Sequence, residues 1–81
     1  MTYYIIENQH RPDGLINTST TARQTFASAL SYYHERYSKM ILTELYPSVS
    51  ILLVDENLNR IEHATIQTQY QPPVEEGAEE E

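Results

Sequence analysis

Arg11-Pro12-Asp13-Gly14 is the stretch on which the fold turns. Proline presets φ at the second position of a turn, aspartate suits the third, and glycine accepts the positive φ of the fourth. A chain that doubles back here makes a hairpin of the residues on either side. Upstream, Tyr3-Tyr4-Ile5-Ile6 is aromatic and β-branched, the composition of a strand, and the strand should run to about His10. Downstream, Leu15-Ile16-Asn17-Thr18 reads as the short returning strand.

Ser19-Thr20-Thr21 then reads as a helix opening, with Thr21 and Gln24 spaced as a capping box. Apolar residues recur every three or four positions at Ala22, Phe26, Ala29 or Leu30, Tyr33, Tyr37, Met40 or Ile41, and Leu45. That is one apolar stripe of a helix of roughly 20 residues. Pro47 stops it, and the weaker pattern at Thr43-Glu44 allows an end near Ile41. Val49 to Val54 is the most apolar run and reads as a central strand. Asp55-Glu56-Asn57-Leu58-Asn59 is a turn, and Arg60 to Tyr70 the last strand, ended by Gln71-Pro72-Pro73. The order β-β-α-β-β predicts an α+β domain over residues 1–70: a four-stranded antiparallel sheet with one helix on one face. Residues 71–81 read as a disordered acidic tail.

Charge sets limits on partners. The chain carries a net charge of −7, but five of its twelve acids are Glu75, Glu76, Glu79, Glu80 and Glu81. The first 74 residues hold seven acids against five bases, and those bases (Arg11, Arg23, Arg36, Lys39 and Arg60) are scattered. Nucleic acid would require a basic stripe, so none is expected as partner. The chain has no cysteine, so neither a disulfide nor a thiolate metal site is available. No apolar stretch approaches the roughly 20 residues of a membrane span, and nothing resembles a signal peptide. The expectation is a cytoplasmic chain with no membrane partner.

The sequence offers little for catalysis. His10, His34 and His63 share no metal-ligand spacing, and a zinc site needs three or four convergent ligands. Gly14 and Gly77 are the only glycines, so there is neither a Gly-x-Ser-x-Gly elbow nor a phosphate-cradling loop. We therefore expect no enzyme activity, no metal and no cofactor.

Seven tyrosines are the unusual feature. Tyr33 and Tyr37 lie on the apolar stripe and read as core. Tyr32 and Tyr46 lie off it. Strand neighbours point to opposite faces, so Tyr3 and Tyr4 cannot both lie under the helix. Tyrosine combines a large apolar ring with a polar tip and is enriched at interfaces. Tyr3, Tyr4, Tyr32, Tyr46 and Tyr70 are accordingly the candidate protein-binding residues, with burial in the core as the competing reading. Because one helix covers one sheet face, the face or edge away from it is the expected binding surface, for a protein partner or for self-association as a homo-oligomer.

The order of these features resembles a family of small phage and prophage proteins of Gram-positive bacteria. The matching residues are Tyr3-Tyr4-Ile5-Ile6-Glu7-Asn8-Gln9, Asp13-Gly14, Ala27 to Tyr33, and Ser50 to Asn59. The resemblance spans about residues 2–65. It departs at Tyr37-Ser38-Lys39-Met40, where those proteins have an alanine-rich helix end, and at Leu58, where they often have glycine. It implies a phage setting, in the host cytoplasm or the virion and beside assembly functions, and it implies no catalytic residue. A small inhibitor of a host or defence protein is the alternative, since it too would be compact, acidic and without a pocket.

Overall fold

The computed structural model describes residues 1–71; of the expected acidic tail, residues 72–81 lie outside the described residues. The elements run β1 (Tyr3–His10), β2 (Ile16–Arg23), α1 (Phe26–Ile41), β3 (Ser48–Val54) and β4 (Arg60–Gln67). The sheet is four-stranded and antiparallel, in the order β2-β1-β3-β4, with α1 on one face. The fold class is therefore the expected α+β arrangement.

The first hairpin closes at the predicted place. Gly14 has φ of 93° and donates to the Arg11 carbonyl at 3.0 Å, while the Asp13 carboxylate accepts from the Leu15 N–H at 3.0 Å. The returning strand is longer than expected. It runs to Arg23 and pairs with all eight residues of β1, from His10 opposite Ile16 to Tyr3 opposite Arg23. The reason is visible in the partner: an eight-residue β1 offers a full ladder, and β-branched Thr18, Thr20 and Thr21 fit a pleated surface. Thr21 therefore lies in a strand and caps nothing.

The helix starts at Phe26. Thr25 is its N-cap, with extended φ −126° and ψ 154°, and its hydroxyl accepts from the Ser28 N–H at 3.1 Å. The helix is 16 residues long and ends at Ile41, well before Pro47. Ala22 thus drops out of the helical stripe. So does Leu45, which lies in the connection to β3 and is exposed.

The core lies between α1 and the sheet. Ala29, Tyr33 and Met40 from the helix meet Ile5, Val49, Ile51, Leu53 and Ile66 from three strands. Alternation along β3 allows either Val49, Ile51 and Leu53 or Leu52 and Val54 beneath the helix, and the first set is realised. Phe26, expected in this core, is 44 % exposed and instead packs edge-on against Tyr3, with ring centroids 5.7 Å apart. The last strand ends at Gln67 rather than Tyr70. Beyond it the Thr68 hydroxyl donates to the Tyr46 carbonyl at 2.6 Å, and the Gln69 N–H to the Thr43 carbonyl at 3.1 Å. No helix of the described residues is long and apolar enough to cross a membrane.

Candidate functional site

Strand alternation divides the sheet into two faces. Toward α1 point Tyr3, Ile5 and Glu7 of β1, with Val49, Ile51 and Leu53 of β3. Away from it point Tyr4, Ile6 and Asn8, which pair in register with Val54, Leu52 and Ser50. On the outer strands the same open face continues through Ala22, Thr20 and Thr18 of β2 and through His63 and Thr65 of β4.

This open face is itself two-part. One half is apolar: Tyr4, Ile6, Leu52 and Val54 form a contiguous block across the two central strands. Val54 is buried, while Tyr4, Ile6 and Leu52 are half-buried. The other half is polar and tied together across three strands. The Thr18 hydroxyl donates to the Asn8 side-chain carbonyl at 2.7 Å, and the Asn8 amide donates to the Ser50 hydroxyl at 3.4 Å. The open face thus sets an apolar block beside a row of hydrogen-bonded polar side chains.

The five candidate tyrosines do not form one surface. Tyr4 lies on the open face. Tyr3 lies on the opposite face against Phe26. Tyr32 is held at the β2 side: its hydroxyl accepts from the Thr21 hydroxyl at 3.3 Å, and the Arg23 guanidinium sits 4.5 Å from its ring centroid. Tyr46 packs against the core in the connection before β3, and Tyr70 follows β4, its N–H donating to the Thr68 hydroxyl at 3.2 Å. The rings are spread over both faces because two of them follow adjacent positions of one strand and the others sit on three further segments.

One pair of residues went unread in the sequence. Glu7 lies on the helix-facing side of β1, beside Ile5, and is 3 % exposed. Arg36 of α1 reaches down to it. Its Nε donates to both carboxylate oxygens at 3.1 Å, and an Nη donates to one at 3.0 Å. The hydrogen bonds to Glu7 raise the Arg36 pKa further, against the opposing effect of burial. The signal was available: Arg36 falls between Tyr33 and Met40 at helical spacing on the apolar stripe, and Glu7 two residues from Ile5 on a strand. The guanidinium engages both carboxylate oxygens, so the pair ties α1 to β1 across the core.

Two further groups are shifted by their surroundings. Burial, reinforced by Glu62 and Tyr37, raises the Tyr33 phenol above its ordinary value. Asp55 is held below its ordinary value by the N–H of Asn59, opposed by slight desolvation, with Asn57 adding a second N–H; both donate to one oxygen at 2.9 Å. In that turn Leu58 adopts φ of 66°, in the left-handed region. Among the described residues no three His, Asp or Glu side chains are placed to hold a metal ion. The depressions on the surface are open. One of about 420 Å³ lies between α1 and β4, lined by Tyr33, His34 and Tyr37 on one side and Glu62 and Ala64 on the other. Another of about 260 Å³ lies beside Arg36, Met40 and Tyr46. No family model, curated protein or solved structure matches this chain.

Proposed function

We propose that this chain acts by binding protein through the open face of its sheet, as an accessory protein of a phage or prophage with virion assembly as its setting. The observation that carries the binding claim is the apolar block of Tyr4, Ile6, Leu52 and Val54 on the face that α1 does not cover. A half-buried aromatic beside branched aliphatic side chains presents a surface that gains by being removed from water. The neighbouring Thr18–Asn8–Ser50 row fixes polar groups that would orient what binds. The phage setting rests on the resemblance in the order of sequence features, with the Asp55–Asn59 turn among the matched segments.

Affinity capture from phage-infected cells tests the proposal. The chain is immobilised as wild type, as Leu52→Glu on the open face, and as Leu42→Glu, an exposed position at the end of α1. The reading predicts a protein retained by wild type and by Leu42→Glu and lost with Leu52→Glu. Retention that does not depend on Leu52, or no phage or host protein retained at all, would overturn it.

A further inference from the structure

We propose that the β2 edge is a self-pairing edge, and that two copies of this chain join there, β2 to β2, into one continuous antiparallel sheet. This concerns a different surface from the open face and stands without it.

The two edges of the sheet differ. An exposed strand edge is a template for further pairing, and proteins ordinarily blunt it with charges, proline or a bulge. At β4 the ladder is interrupted by a bulge, Arg60 and Glu62 are charged, and the chain beyond the strand is bonded back to Thr43 and Tyr46. At β2 such a device is confined to the last position, where Arg23 donates to the Ala22 carbonyl at 3.0 Å. Ile16-Asn17-Thr18-Ser19-Thr20-Thr21-Ala22 has no charge, no proline and an unbroken register against β1.

The hydrogen-bond phase of this edge follows from the hairpin. The Arg11 N–H donates to the Leu15 carbonyl at 2.8 Å, so Leu15 faces β1. Inward and outward backbone groups alternate in an antiparallel ladder. Asn17, Ser19 and Thr21 therefore face β1 as well, and Ile16, Thr18, Thr20 and Ala22 direct their N–H and C=O groups outward.

A two-fold axis perpendicular to the sheet and passing between two Ser19 residues satisfies this phase. It sets Thr18 opposite the second copy's Thr20 and Ile16 opposite its Ala22, each pair exchanging two backbone hydrogen bonds. Directly opposed residues share a face in this register. Threonine meets threonine, which is a favourable cross-strand pair, and an aliphatic residue meets alanine. No charge meets a like charge.

The exposed apolar residues fit the same operation. Leu15 and Ile16, at the start of β2, are 59 % and 55 % exposed, and Phe26 lies just past its end. The first two lie at the opposite end of β2 from Phe26 in one copy. Antiparallel pairing brings the start of one β2 to the end of the other, so Leu15 of one copy lies opposite Arg23 of the second, beside its Phe26. The interface is isologous and closes as a dimer.

Sedimentation of the full chain from micromolar to millimolar concentration, at physiological ionic strength, tests this. The proposal predicts a mass rising from the 9.4 kDa of one chain toward twice that value. Ser19→Lys and Ser19→Glu each place like charges across the axis, and each should weaken association by about tenfold or more. An equimolar mixture of the two should restore it. Thr20→Pro removes an outward N–H at an edge that tolerates proline and should remain at the mass of one chain. Circular dichroism matching wild type establishes that each variant is folded. A wild type that stays monomeric to millimolar concentration, or association that survives Ser19→Lys and Thr20→Pro alike, would overturn the proposal.

Discussion

Removing the Arg36 guanidinium would leave the Glu7 carboxylate beneath the helix without a counter-charge. An unpaired buried charge is costly, whereas exchanging the whole pair for apolar side chains of similar size is often neutral. Arg36→Leu should therefore cost about 3 kcal/mol in urea unfolding, and the double variant Glu7→Leu with Arg36→Leu should recover most of that loss. Equal losses in single and double variants would mean the pair contributes more than it costs to bury. Asp55 gives a second residue-level prediction. Its folded pKa lies below the ordinary 3.8, so its stabilisation is complete above that value and is lost as pH falls through the lowered one. Asn at this position keeps an oxygen for the Asn57 and Asn59 N–H groups but does not titrate. The melting temperature of wild type should thus fall more steeply with acid than that of Asp55→Asn, and parallel curves would refute the assignment.

At the scale of elements, the start of α1 is the point where sequence and structure part. Thr25→Ala removes the hydroxyl that accepts from Ser28 and should cost about 1 kcal/mol. Gln24→Ala should stay within about 0.5 kcal/mol, as a surface change away from packed features. Reversed magnitudes in urea titrations would restore the capping box at Thr21. Packing gives a parallel contrast: Tyr33→Ala should cost about 3–5 kcal/mol, as truncation of a buried aromatic. Phe26→Ala should cost about 1 kcal/mol, the scale of one aromatic pair, by the same measurement. The hairpin turn, β1 and β3 were legible because proline, glycine and strict alternation act locally, whereas alternation alone left either side of β3 free to lie under the helix. The extent of β2 was not legible either. A run of serine and threonine suits a helix cap and an edge strand equally, and only the eight residues of β1 across the ladder decide between them. The same misplacement carried Ala22 onto the helical stripe and Phe26 into the core.

For the whole molecule, one helix over a four-stranded sheet leaves a face uncovered, and this followed from the element order before any contact was known. Alternation also required that Tyr3 and Tyr4 part company, which they do. The five tyrosines do not gather into one patch, and the sequence could not show this for Tyr32, Tyr46 and Tyr70, which come to rest on separate segments. On the open face only Tyr4 of the five joins Ile6, Leu52 and Val54 in the apolar block. The most direct test of binding through that face is a methyl spectrum of the chain, isotope-labelled at isoleucine, leucine and valine, as a captured partner is added. The open-face reading predicts that the Ile6, Leu52 and Val54 methyls shift together while those of Leu42 and Leu45, exposed around the end of α1, stay in place. Shifts confined to Leu42, Leu45 and their neighbours, with Ile6 and Leu52 unmoved, would contradict it.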